Sequence, residues 1–250
     1  MERKIRYLIT VIILFGIWFF AARQFQLVGG RPDFLPDPFS VTSVFFKIFW
    51  HSLWKHFWIS SQRVLLGILA ALITALPLGL LLGRHSTLDQ YIAPAVYLTY
   101  PIPKIAFLPL ILLFLGLGDS SKVFMIALIL FFQILVTVRD AARAIDEELV
   151  MSVRSLGAKP LHLLLHVILP ACLPEILTAL RISVGTAIAV LFFVESFATE
   201  SGLGFFIMDA WSRLNYKEMY AGILGLGLLG TILYEILDLS EKRLCRWIYI

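Results

Sequence analysis

The chain has 250 residues, 60% of them hydrophobic and 15% charged, with a formal net charge of +4 at pH 7. Soluble domains average about 45–50% apolar and 25% charged residues, so with a mean hydropathy of +0.88 this composition excludes an ordinary soluble enzyme or binding module. The small basic excess then speaks of membrane topology and lipid contact, not of nucleic acid.

In chain order, the basic segment MERKIRY leads into an apolar tract, Tyr7 to Ala22. The pair has the outline of a cleaved signal peptide. The tract is long for one, however, and Phe20-Ala21-Ala22-Arg23 lacks a small-x-small cleavage pattern, so a retained span is expected. Arg23 to Gln62 is the longest stretch outside the apolar tracts. Its RPDFLPDP should be extended, and VTSVFFKIFWHSLWKHFWIS carries Trp50, Trp54 and Trp58 at helical spacing with Lys47, His51, Lys55 and His56 between them. That mixture suits a helix lying at the membrane surface, with recognition of a periplasmic partner as the second reading. His51 and His56 are five apart, on different helix faces, which argues against a metal pair.

Five more apolar tracts follow: Val64 to Gly83, Gln90 to Gly118 with Lys104 as its one charge, Val123 to Val138, Ile182 to Val194 and Met219 to Tyr234. A span needs roughly 20 mostly apolar residues, and barrel strands would alternate where these run apolar throughout; the expectation is an all-α membrane protein with six spans. Ala75, Gly79 and Gly83, and again Ala221 and Gly225 with Gly222, Gly227 and Gly230 nearby, are small residues spaced for close helix packing. Pro101, Pro103 and Pro109 should bend or open the third tract and free carbonyls there. Lys104 among them could attract an anion, or it snorkels or pairs with a carboxylate such as Glu195. Glu195, near the outer end of the fifth span, reads as a gate or a packing residue, and Arg181 can reach the inner headgroups.

With the N-terminus inside, eleven Lys and Arg lie on the inner side (Arg3, Lys4, Arg6, Arg84, Arg139, Arg143, Arg154, Lys159, Lys242, Arg243, Arg246). Seven lie outside (Arg23, Arg31, Lys47, Lys55, Lys122, Arg213, Lys217). The excess puts both termini and the segment EELVMSVRSLGAKPLHLLLHVILP, Glu147 to Pro170, in the cytoplasm. In that segment Asp146 is an N-cap, Glu147 and Glu148 fall where the helix dipole favours anions, and Gly157 followed by Pro160 ends the helix. About ten helical residues, roughly 15 Å, cannot cross a bilayer. Leu149, Val153 and Leu156 share one face, off which lie Arg154 and Glu147. Such a helix suits docking into a groove on another protein; a loop helix resting on the bundle or the headgroups fits the pattern equally.

The sequence holds no G-x-x-x-x-G-K-[ST] phosphate loop, H-E-x-x-H or G-x-S-x-G. Cys172 and Cys245 have no metal-type spacing, and His162 and His166, four apart, lack a carboxylate at helical spacing. No catalytic residue, metal ligand or cofactor is expected.

Gly157 with Val167, Leu169 and Pro170 downstream resembles the glycine and I-x-L-P ending of the cytoplasmic EAA loop in permease subunits of bacterial ABC importers. Four further blocks resemble the nitrate/sulfonate/taurine branch: SSQRVLLGILAALITALPLGLLLGR from Ser60, YPIPKIAFLPLILLFLGLGDSSKVFMIALILFFQILV from Tyr100, LPACLPEILTALRISVG from Leu169, and ESGLGFFIMDA from Glu200. The likeness runs from about Leu35 to Trp247.

The resemblance implies a six-helix type I importer permease fold with a coupling helix between spans four and five, in the bacterial inner membrane. The whole chain, 1–250, would be one permease domain: a first span and periplasmic segment to residue 59, a core bundle over 60–240 and a cytoplasmic tail. It implies three partners: a cytoplasmic ATPase dimer that hydrolyses ATP, a substrate-binding protein and a second, identical permease copy. Glu147, Glu148, Met151, Ser152, Arg154, Leu156, Gly157, Ala158 and Pro170 would form the ATPase-coupling element. Met151, Ser152 and Val153 stand where the loop's Glu-Ala-Ala would be, so Glu147, one turn earlier, is the candidate for the missing charge. Lys104 and Glu195 are the candidates for the translocation path. An autonomous secondary transporter is the alternative, although no internal repeat is evident. A membrane-embedded enzyme would need clustered Asp, His or metal ligands.

Overall fold

The computed structural model describes residues 2–29, 31 and 33–248, with the side chains of 2–4, 7, 8 and 248 outside the described set. Arg3 and Lys4 of the charge count and Pro32 of the proline-rich stretch therefore fall outside it. Among the described residues every regular element is helical. Five helices are long and apolar enough to cross a membrane, and a bent helix pair makes a sixth. The chain clusters into two compact units, residues 1–59 with 200–228 and residues 60–199 with 229–250.

In the first unit, α1 (Glu2–Leu27) exposes nearly all of its apolar surface. Helix α2 (Pro38–Ile48) starts where the sequence signals stack up: Asp37 Oδ1 accepts from the Ser40 amide at 3.0 Å, and Pro38 takes the first position, where no amide is needed. A π-turn, Phe49–Leu53, carries α2 into α3 (Trp54–Arg84). The tryptophan segment, expected as a separate surface helix, is thus helical but part of a continuous apolar run, Pro38–Arg84. The wider turn keeps the ladder unbroken: the Trp54 amide reaches Phe49 O, and the Trp50, Trp54 and Trp58 rings follow each other at 5.5 and 6.3 Å. His56 accepts from the Gly202 amide at 3.1 Å, at the start of α10 (Leu203–Ser212). Gly222 of α11 (Tyr216–Leu244) lets that helix approach α10: a Cβ there would lie 2.7 Å from Ile207.

In the second unit, α6 (Asp119–Arg143) and α9 (Leu169–Glu195) form the central pair. Ile126, Leu130, Ile134 and Val138 of α6 and Leu180, Ala187 and Leu191 of α9 are buried. Gln133 joins the two helices, donating to Thr186 at 3.4 Å and accepting from Ser183 at 3.3 Å, polar contacts that have no water to compete with them in lipid. The α3 stripe packs on α6: a Cβ at Gly67 or Gly79 would meet Ile126 at 2.6 Å or Val138 at 2.8 Å, and one at Gly83 would overlap Arg139 O. In the first unit, by contrast, a Cβ at Gly227, in the second stripe, would meet nothing within 4 Å.

The third apolar tract is broken as its prolines require: α4 (Ser86–Thr99) and the helical run Lys104–Leu115, which ends in α5 (Leu108–Leu115), meet at 79°. The fifth span is longer than its uncharged core. It runs Pro160–Glu195, through α8 (Pro160–Leu163) and a second π-turn, Leu164–Ile168. That turn lies just before Pro170, whose missing amide disturbs the regular ladder. Arg181, expected to reach the inner headgroups, pairs with Glu241 of α11 and lies 5.8 Å from the Tyr234 ring.

Candidate functional site

The segment from Asp146 folds as its caps dictate. Helix α7 (Glu147–Ser155) begins with Asp146 Oδ1 accepting from the Glu148 amide at 2.9 Å. It ends at Gly157, whose φ of +85° only glycine adopts without strain. Pro160 then opens α8. Val150 is the one buried side chain of α7 and seats it on its own chain. The ridge of Leu149, Val153 and Leu156 points elsewhere: Leu149 is 50% and Leu156 87% exposed, with Met151 also exposed. Glu148 and Arg154 are exposed, and Ala158, Val167, Leu169 and Pro170 half-buried. The Ser152 hydroxyl donates to its own helix at Glu148 O, 2.8 Å. Glu147 Oε2 lies 3.2 Å from Arg84 at the end of α3. Arg84 also reaches the Ala142 and Ile145 carbonyls at 3.4 and 3.5 Å.

Lys104 and Glu195 do not meet. Lys104 Nζ donates to the carbonyls of Tyr100 (2.8 Å), Thr99 (3.0 Å) and Ile102 (3.4 Å) and lies 4.2 Å from the Phe132 ring centroid. The carbonyls at the bend are closer than any carboxylate, so they take the ammonium. Glu195, fully buried, accepts from Ser60 Oγ at 2.8 Å and Arg63 Nη1 at 2.8 Å. The other edge of the Arg63 fork binds Asp119 at 2.6 and 2.8 Å. Lys122, read as a loop charge from sequence, is buried beside this cluster and donates to Leu117 O at 2.6 Å. In the sequence, one charge flanking an apolar tract looks like a snorkelling residue, which hides Arg63. Its signal was Glu195, a second lone charge at the matching end of another span.

His162 and His166 stack at 4.1 Å, both exposed. Among the described residues no group of three or more His, Cys, Asp or Glu side chains is placed to hold a metal. Cys172 and Cys245 are free and buried.

An all-helical, multi-pass chain with a bent span and a short capped helix that leaves an apolar ridge uncovered has the architecture of a membrane transport subunit. The chain belongs to the family of binding-protein-dependent transport system inner membrane components, whose pattern matches residues 64–246. It is 31% identical over 244 residues to the taurine transport system permease protein TauC of Escherichia coli (strain K12), covering 95% of this chain and 88% of that one. SsuC of Bacillus subtilis (strain 168), named for aliphatic sulfonates transport, is 30% identical over 96% of this chain and 86% of its own. The fold is similar to that of a chain in the inward-facing MetNI methionine ABC transporter, with a TM-score of 0.65 at 20% identity, over 79% of this chain and 98% of that one.

Proposed function

We propose that the chain is the membrane-spanning subunit of an ATP-driven importer for a small sulfonate, taurine, nitrate or a similar solute. Two copies would line the path in the bacterial inner membrane, with both termini in the cytoplasm. A binding protein would deliver the solute outside, and a cytoplasmic ATPase dimer would hydrolyse ATP, for which this sequence carries no phosphate loop. The observation that carries the reading is α7, a capped helix too short to span, with Leu149, Met151 and Leu156 uncovered by its own chain. That ridge is suited to the cleft of the ATPase, with Glu148, Ser152, Arg154, Gly157 and Ala158 around it and Pro170 leading into the next span. Glu147 supplies charge at this contact while holding Arg84. Lys104, at the bend, draws an anionic solute, and Glu195 serves as part of a gate.

Co-purification from membranes with the candidate ATPase tests the reading. Wild type should retain the ATPase, while Gly157→Asp and the Leu149→Ala/Leu156→Ala double variant should insert normally and lose it. Absence of the ATPase from wild type, or binding indifferent to these changes, would instead favour an autonomous transporter. The charge role of Glu147 fails separately if reversed partners on the ATPase do not rescue Glu147→Arg.

A further inference from the structure

Resting on the importer reading, the geometry points to Asp89 as a two-position link between α7 and the bent α4–α5 pair, its carboxylate exchanging Arg139 for Arg143. Helix α4 is held loosely: it buries only Asp89 and Val96. Asp89 Oδ1 lies 3.6 Å from Arg139 Nη1, and Oδ2 lies 3.5 Å from Arg143 Nη1. The two arginines are one turn apart on α6, about 5.4 Å along its axis. Neither contact closes into a hydrogen bond, and Asp89 Oδ1 and Arg139 Nη1 are both buried without a hydrogen-bond partner. Asp140 accepts from the other edge of the Arg139 fork, Nε at 3.1 Å and Nη2 at 2.9 Å, so it is the open Nη1 and the desolvated Asp89 oxygen that gain from closing up. A short shift of α4 therefore has two stopping points, one on each arginine.

The surroundings decide which element moves. Arg84 fastens the start of α7 and the link after α6 to the end of α3, through Glu147 and the Ala142 and Ile145 carbonyls. At Gly83, α3 and α6 are in backbone contact and cannot slide. Helix α4 has no glycine to bring it that close, and its ion-pair and side-chain hydrogen-bond contacts with α6 run through Asp89 and Tyr97, whose hydroxyl accepts from Arg139 Nη2 at 2.6 Å. A groove of about 570 Å³, bordered by Arg84, Asp89, Tyr97, Arg143 and Glu147, leaves the carboxylate room to travel. Displacement of α7 thus reaches the α6 end first and α4 through Asp89.

The test uses the importer assembled with its ATPase in nanodiscs, in a background with Cys172 and Cys245 replaced. Spin labels at Tyr91→Cys and Ala144→Cys, both exposed positions, report the α4 to α6–α7 distance without nucleotide and after trapping with ATP and vanadate. Wild type should show a change approaching one helical turn, about 5 Å. Arg143→Lys should keep it, and Asp89→Asn and Arg143→Ala should abolish it; the Arg143 side chain is 69% exposed, so that variant is not at risk of misfolding. A full change in Asp89→Asn, or none in wild type with the ATPase bound, overturns the link. Failure of wild type to hold the ATPase overturns the importer reading itself.

Discussion

At the residue scale, the structure separates charges by what holds them. Glu195 is fully buried, and Arg63, 4% exposed, is its partner. Glu195→Ala takes from Arg63 its buried counter-ion and leaves it the exposed Asp119, so it should cost about 3–5 kcal/mol, while a Glu195→Leu/Arg63→Met pair should recover much of it. Asp119, 70% exposed, should cost no more than about 1 kcal/mol when changed to Ala. Thermal unfolding in detergent reads all three. Asp37 offers a pH handle outside the spans. Burial works to raise its carboxyl, but hydrogen bonds from Ser40 and Phe39 outweigh it and hold the group below its ordinary value. A depressed carboxyl stabilises the charged cap above the unfolded value, about 3.9, and that stabilisation is lost as pH falls through the folded one. Protection of the amides at the start of α2, taken relative to the intrinsic exchange rate at each pH, should therefore fall on acidification below about pH 4, and Asp37→Asn should remove the dependence while keeping a cap.

At the element scale, close approach and open space predict opposite outcomes for the same substitution. Gly83→Ala puts a methyl into Arg139 O and Ala142 and should destabilise by about 1–3 kcal/mol. Gly227→Ala meets nothing within 4 Å and should be neutral or stabilise slightly, by about 0.5–1 kcal/mol. The sequence carried much of this level, because caps, prolines and apolar tracts act over a few residues: Asp146, Gly157 and Pro160 bound α7 where their chemistry says. What spacing could not carry was partnership across the chain. Arg63 and Glu195 are 132 positions apart, and Lys104 and Arg181 found partners other than the ones their local setting suggested, because tertiary packing chose among several plausible acceptors. Small-residue spacing marked the second stripe of α11 correctly at Gly222 but not at Gly227, since periodicity names a face without saying what lies opposite.

At the scale of the whole molecule, the inside-out assignment is open to direct measurement. Cysteines at Glu148 and Arg154, both exposed, should be modified by membrane-impermeant maleimide in inverted vesicles and protected in intact cells, whereas one at Lys217 should show the reverse; labelling of Glu148→Cys in intact cells would reverse the topology. The π-turn Leu164–Ile168 bears on the same architecture in a different way. A wide turn is a helix that has absorbed one residue without being interrupted, and each residue is worth about 100° of rotation. It therefore works as a phase setting between α9 and everything N-terminal to it as far as α7. Deleting Leu165 should remove the extra residue, turn α8 by about 100° around the α9 axis and, through the link of residues 157–159, strain the seat of α7 against its cleft, although no residue of α7 has been touched.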